Sequence, residues 1–209
     1  MAGPQPPPHE PSPPSAAPAK LALRDQVLEG RRRRPLASLV EDARATAAHL
    51  LDTPEVRRAV TVAAYVAVGT EPGTSALLNA LLASRKRVLL PLLQADGDLD
   101  WASHTGESQL YPARRGLLEP LGEPLGRDAV AGADVVLVPG LAVDDTGLRL
   151  GRGGGSYDRA LARVPVGTLT CVLLYPDEVG RSVPGEAHDR RVGAVATADG
   201  VHRFPRAPG

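Results

Sequence analysis

The sequence predicts a single α/β domain, a mainly parallel sheet flanked by helices, behind a disordered proline-rich N-terminal arm. Three observations carry this. Between Val60 and Leu93 strand-like and helical stretches alternate with the rhythm of a βαβ unit. The runs Val135–Val138 and Leu169–Leu174 are apolar without alternation, the signature of strands covered on both faces. Between them, Val138–Asp158 joins a buried strand to a glycine-rich, arginine-flanked helix start.

In chain order, Met1–Pro18 is dominated by proline, serine and alanine, with too little apolar surface to offset the entropy of ordering. A domain over residues 19–204 follows, with a flexible tail at 205–209. From Ala19 helix formers lead into Arg31–Arg34, a charge run that reads as a solvated helix end. Leu36, Leu39, Val40, Ala43, Ala47, Leu50 and Leu51 recur at helical spacing between the breakers Pro35 and Pro54. Val60–Val68 reads as β, Ser75–Ala83 as a helix behind a Thr74 cap, and Arg87–Leu93 as β again. Tyr157–Val164 supplies the helix between the two apolar strands. A parallel sheet opens its ligand crevice at the carboxyl ends of its strands, where Gly69–Glu71 and the loop after Pro139 would both emerge.

Bulk properties bound the function. The 209 residues suit one domain, and 43% apolar residues suffice for a core. Basic and acidic side chains balance at 24 each, so a general nucleic-acid-binding role has no electrostatic support and any anion site must be local. No stretch approaches the ~20 apolar residues of a membrane span, and the N-terminus lacks a secretory pattern; a cytoplasmic protein without membrane partners is expected, as a monomer. Cys171, alone of its kind, sits in an apolar run and reads as a buried structural thiol.

The most informative segment is Arg149-Leu-Gly-Arg-Gly-Gly-Gly-Ser-Tyr-Asp158. A glycine cluster alone also suits a turn or linker. Here Gly153, Gly154 and Gly155 let backbone N–H groups approach an anion, a helix start follows, and Arg149 and Arg152 add charge. Asp158 would repel a bare phosphate unless a divalent cation lay between them, which points to a metal–nucleotide site. No Gly-Lys-Ser/Thr follows, and the loop is separated from its strand by an insert, so neither the P-loop nor the dinucleotide fingerprint fits.

This segment, with the Pro139-Gly-Leu-Ala stretch before it, resembles the 5-formyltetrahydrofolate cyclo-ligase (methenyltetrahydrofolate synthetase) family. Further matches lie at Lys20-Leu-Ala-Leu-Arg24, Tyr65–Glu71, Gly116–Pro120 and Pro184–Asp189, and the resemblance covers about residues 20 to 202. It implies a ligase of folate one-carbon metabolism that converts 5-formyltetrahydrofolate to 5,10-methenyltetrahydrofolate with ATP as co-substrate, releasing ADP and phosphate through phosphorylation of the formyl oxygen. It also implies nucleotide contacts from Lys20, Arg24, Arg149, Leu150, Gly151, Arg152, Gly153, Gly154, Gly155, Ser156 and Tyr157. The folate would meet Arg24, Val66, Glu71, Arg152 and Ser156. Arg149, Arg152 and Tyr157 would act in the chemistry, and Asp158 and Asp189 would ligate Mg2+.

Three positions depart from the family pattern: Ser156 replaces a tyrosine, Val143 a phenylalanine, and Arg115 stands where an aromatic precedes Gly116. With aromatics at 3% of the chain, few rings remain to sandwich a pterin, and Trp101, Tyr111 and Tyr175 are candidates. His188 needs no role in this chemistry. Two alternatives stay open: a non-catalytic ATP- or folate-binding paralogue, and an isomerase or transferase acting on phosphorylated metabolites.

Overall fold

The structure, a computed structural model, describes residues 16–205. Most of the expected disordered arm and the tail from 206 onward lie outside those residues. Helix α1 (Ala17–Arg32) starts inside the expected arm, with Pro18 in its first turn, where a missing N–H costs nothing. Its inward stripe of Lys20, Val27 and Arg31 packs on the rest of the chain. Helices α2 (Leu36–Asp52) and α3 (Pro54–Arg58) follow, and α2 coincides with the expected amphipathic helix.

Strand β1 (Thr61–Ala63) is much shorter than the β stretch expected over Val60–Val68. Ala64 N still donates to Leu89 O at 2.9 Å, but from there side chains take over the backbone groups. Thr74 Oγ1 accepts from Ala67 N at 2.9 Å, and Glu71 Oε2 accepts from Val68 N at 3.0 Å. A chain whose hydrogen bonds are met this way needs no ladder partner and peels off the sheet. For the same reason Thr74 does not cap helix α4 (Ser75–Ala83): its hydroxyl is spent on the loop.

Strand β2 (Arg87–Leu93) pairs antiparallel with β3 (Leu99–His104). Strands β4 (Leu110–Pro112) and β5 (Leu118–Pro120) form a separate hairpin. Its turn carries Arg115 at φ 59°, ψ 24° and Gly116 at φ 71°. Left-handed backbone costs a residue with a Cβ roughly 1–2 kcal/mol. Strand β6 (Val135–Pro139) is followed by the hairpin β7 (Ala142–Val143) and β8 (Arg149–Leu150), which is the insert that separates the glycine loop from its strand. Helix α5 (Ser156–Leu161) is shorter than the expected Tyr157–Val164 and leads to β9 (Leu169–Leu173), β10 (Ala194–Thr197) and β11 (Gly200–Arg203).

The seven-stranded sheet runs β11-β10-β9-β6-β1-β2-β3; five central strands are parallel and both edges antiparallel. Numbered by appearance, the parallel strands lie in the order 2-1-3-4-5, a doubly wound arrangement. Side chains alternate between two buried faces: Val62, Val135, Leu137 and Cys171 meet Leu50, Val56 and Leu81, while Ala63, Val136, Val138 and Val172 meet Trp101, Val130 and Leu161. Both faces being dry explains the continuous apolar runs. A third cluster joins Val27 of α1 to Leu141, Leu148 and Leu150, and so docks that helix on the β7–β8 hairpin.

Arg31–Arg34 is not the solvated end its composition suggests. Arg31 is 1% exposed, its guanidinium gripping Glu178 through two bonds of 2.7 Å and reaching Gly140 O at 2.8 Å. Arg34 stacks 4.0 Å over the Tyr175 ring and pairs with Asp177. Only Arg32 and Arg33 remain in solvent, each paired with Glu29.

Candidate active site

Reversal of strand order between β1 and β6 opens a crevice at their carboxyl ends. There Tyr65 and Val66 leave β1, and Pro139 and Gly140 leave β6. A Cβ on Gly140 would fall 2.6 Å from Val172 Cγ2, so only glycine lets the chain turn this close to the sheet. Helix α1, the glycine loop and the 186–189 loop close the sides. The result is a cavity of about 400 Å3.

Every residue expected to contact nucleotide, folate or metal lines it: Lys20, Arg24, Val66, Glu71, the run Arg149–Asp158, and Asp189. Arg149 enters from β8 almost fully buried, donating to Pro139 O at 3.0 Å and to Asp158 at 3.1 Å, with its guanidinium 5.9 Å from the Tyr157 ring centre. Its Nε has no partner among the described residues. Arg24 donates to Gly151 O at 2.9 Å and packs along the loop so closely that a Cβ on Gly153 would lie 3.4 Å from its guanidinium carbon. That is ordinary contact distance, and it is the backbone, at φ +99°, that disfavours a side chain there.

Glu71 holds Arg152 at 3.0 Å, tying the end of the β1 loop to the glycine loop. Lys20 is clamped between Asp189 and Glu186, both at 2.7 Å. Burial works against the Lys20 charge, but the hydrogen bonds and charges of Asp189 and Glu186 outweigh it and raise its pKa. For Asp189 burial is likewise overcome, chiefly by Lys20, and the carboxyl is held below its ordinary range. Asp158 accepts from Arg149 and from Arg190 N at 3.2 Å, and so lies one backbone step from Asp189. Among the described residues, Glu186, His188 and Asp189 bring potential metal-ligand atoms within 4.8 Å of one another.

Ser156 lines the cavity, but its hydroxyl donates to Gly97 O, which also accepts from Arg159 at 2.6 Å. The serine thus fastens the start of α5 to the β2–β3 turn. Burial, reinforced by the Glu71 charge, pushes the Tyr157 hydroxyl far above its usual pKa. It is therefore a permanent hydrogen-bond donor rather than a base. Tyr65 is 3% exposed, its hydroxyl without a partner among the described residues and its pKa also driven up by burial.

The ring candidates fall elsewhere. Trp101 is fully buried in the core, Tyr175 is covered by Arg31 and Arg34, and Tyr111 sits on the outer hairpin; none lines the cavity. Pro91, Leu93, Leu99, Leu117 and Leu118 give the cavity an aliphatic wall, and Tyr65 and Tyr157 are the tyrosines that line it. Val143 is fully buried and outside this lining. Sequence reasoning gave the wall residues and Tyr65 no site role: Pro91 and Leu93 read as strand, while Tyr65, Leu117 and Leu118 lie in matched segments whose apolar letters do not say which side chains face a cavity.

Doubly wound topology, an arginine-flanked glycine loop at the switch point and an aliphatic-lined cavity define an α/β protein with a pocket that is cationic in part and apolar in part. Residues 16–198 match the 5-formyltetrahydrofolate cyclo-ligase family, and the chain belongs to it. A 5-formyltetrahydrofolate cyclo-ligase of Mycolicibacterium smegmatis is 39% identical over 184 residues, 86% of this chain and 93% of that one. The NMR structure of Aquifex aeolicus 5,10-methenyltetrahydrofolate synthetase superposes with a TM-score of 0.76 at 27% identity, over 91% of this chain and 95% of that one. A 5,10-methenyltetrahydrofolate synthetase from Mycoplasma pneumoniae, at 18% identity and a TM-score of 0.69 over 86% and 98% of the two chains, shares the fold. The expected family, fold class and ligase activity stand. Among the described residues no helix is long and apolar enough to cross a membrane.

Proposed function

We infer that this chain catalyses the ATP-dependent closure of 5-formyltetrahydrofolate to 5,10-methenyltetrahydrofolate, releasing ADP and phosphate. The observation that carries the reading is convergence: Lys20 and Arg24 from α1, Glu71 and Val66 from the β1 loop, and the Arg149–Asp158 segment share one cavity despite wide separation in sequence. Formyl oxygen is a poor leaving group. Its attack on the γ-phosphate of ATP forms an imino-phosphate and releases ADP; N10 then closes the ring and phosphate leaves.

The residues divide the work. The open amides of Gly153–Gly155, flanked by Arg149 and Arg152, hold the triphosphate, and Arg24 braces the loop against it. Two unit charges ~4 Å apart in an effective dielectric of ~20 interact by about 4 kcal/mol, so a few fixed cations supply much of the stabilisation. Glu71 offers a carboxylate to the N–H donors of the aminopyrimidine ring beside Val66. Tyr157, kept protonated by burial, donates towards the reacting oxygens. Asp158 and Asp189 are the residues that would hold Mg2+. Both are the hard oxygen donors that ion prefers; each is engaged by a cationic side chain, Asp158 by Arg149 and Asp189 by Lys20, and the ion would displace those contacts. When bound, it supplies neutralisation of phosphate charge.

Purified protein given 5-formyltetrahydrofolate, magnesium and ATP is expected to form the methenyl product, followed by its absorbance, with strict dependence on ATP. Binding of both compounds without turnover would make the chain a non-catalytic paralogue. Turnover without ATP would remove the phosphorylation step.

A further inference from the structure

Only two residues with a Cβ, Arg85 and Arg115, adopt a left-handed backbone among the described residues. Arg85 has an ordinary explanation. It follows the last turn of α4, where Lys86 N reaches back to Leu81 O at 3.1 Å, and a left-handed residue is a common way to end a helix. Arg115 has none of that kind. It sits at the tip of the β4–β5 hairpin, where Ala113 N donates to Leu117 O at 2.8 Å and Arg115 and Gly116 both have positive φ. Turns of this shape favour asparagine, aspartate or glycine. An arginine here strains the turn and offers the hairpin nothing in return, since its side chain makes no hydrogen bond or ion pair among the described residues.

What the residue does have is position. Arg115 is exposed yet lines the cavity, next to Leu117 and Leu118 of the aliphatic wall. Of the lysine and arginine side chains lining the cavity, Lys20, Arg149 and Arg152 are bound to carboxylates; Arg24 and Arg115 form no ion pair among the described residues. Arg24 is committed to the glycine loop. Arg115 is therefore the cation left over, a solvent-exposed member of the lining beside Leu117 and Leu118 in the chain.

We propose that Arg115 is a specificity residue that binds the glutamate carboxylates at the tail of the folate. This rests on the cyclo-ligase reading. With the pterin near Glu71 and the aminobenzoyl ring along Pro91, Leu93 and Leu118, the tail of 5-formyltetrahydrofolate leaves the cavity towards solvent, where its negative charge meets the exposed guanidinium. Guanidinium binds carboxylate through a planar fork that lysine lacks.

The test sets turn geometry against charge. Arg115→Asn places a residue at home in the left-handed region, so the variant should unfold at the same temperature as the unaltered enzyme or higher. Its KM for 5-formyltetrahydrofolate should nevertheless rise about tenfold, as loss of one charge-assisted contact predicts, with kcat unchanged. For 5-formyltetrahydropteroate, which has the same rings and no glutamate, KM should not move. Arg115→Lys should fall between. An equal KM change for both compounds would make Arg115 a contact for the rings, and no change for either would remove it from recognition; each overturns the proposal. Absence of turnover in the unaltered enzyme would instead overturn the cyclo-ligase reading, and this inference with it.

Discussion

Two buried arginines show how one kind of side chain serves structure and chemistry in the same fold. Arg31 meets Glu178 through a two-pronged grip, with side-chain exposures of 0% and 4%, and its third bond fixes the carbonyl of Gly140. Arg149 lies at 2% side-chain exposure against Asp158 at 16%, through a single longer contact of 3.1 Å. The first pair is closed on itself and positions the floor of the crevice. The second is looser, faces the cavity and keeps room for an incoming anion. Depth of burial does not tell the two apart, nor does the number of satisfied nitrogens, since Arg31 Nη1 and Arg149 Nε both lack a partner among the described residues; the two-pronged grip on the carboxylate does.

The largest expected effect breaks the closed pair. Arg31→Ala leaves Glu178 buried without its charge partner, a change that typically costs about 3–5 kcal/mol. Urea midpoints should fall by on the order of 1 M or more. Per folded molecule, activity should be largely kept. A variant that stays stable but loses turnover would move Arg31 from scaffold to active site.

The second prediction sharpens the contrast. Arg149→Ala should lower turnover by roughly 100- to 1000-fold, the range for removing one preorganised charge-stabilising group. Its stability loss should be smaller than that of Arg31→Ala, because Asp158 is partly exposed and still accepts from Arg190 N. Steady-state kinetics beside a thermal melt separates the two effects. Equal loss of stability in both variants would dissolve the distinction.

How far these roles were legible follows from the same residues. The glycine loop could be read because its chemistry is local: glycines, arginines and an aspartate lie within ten positions. The central strands could be read because two dry faces demand uninterrupted apolar residues. Arg31 was hidden inside a run of four arginines. Yet Lys20, Arg24, Val27 and Arg31 are spaced four, three and four apart, one stripe of a helix, and that spacing was the available signal. The peeling of the chain after Ala64 had no such signal, since Val66 and Val68 favour strand and only the Thr74 and Glu71 side chains, placed by tertiary structure, decide otherwise. The aliphatic wall had none either, because a leucine facing a cavity and one facing the core are the same letter.

A third prediction concerns Lys20 and Asp189, the cavity pair that resembles the closed one in its 2.7 Å contact. Asp189 has its folded pKa depressed, so its contribution to stability is present above the ordinary carboxyl value of 3.8 and is lost as pH falls through the lower folded value. Lys20 has its folded pKa raised, so its contribution is complete below 10.5 and is lost as pH rises through the higher folded value. Between those limits the pair should give no pH dependence. Urea midpoints measured across pH should show Asp189→Asn removing part of the acid-side fall. An identical acid limb in that variant would assign the fall to other carboxylates.

The smallest effect comes from the pairs that most resemble salt bridges on paper. Glu29 meets Arg32 at 3.0 Å and Arg33 at 2.9 Å, and its carboxyl is held below the usual range first by those hydrogen bonds. The side chains are nevertheless 48–75% exposed, where water and salt screen the attraction and ordering two long side chains takes back most of the gain. Glu29→Gln should therefore leave the unfolding midpoint and the kinetics within error of the unaltered enzyme. Arg31, their immediate neighbour, should lose several times more when substituted. A comparable loss at Glu29 would mean that the Arg31–Arg34 segment acts as one charged unit, and that the contrast belongs to the whole helix end rather than to a single buried guanidinium.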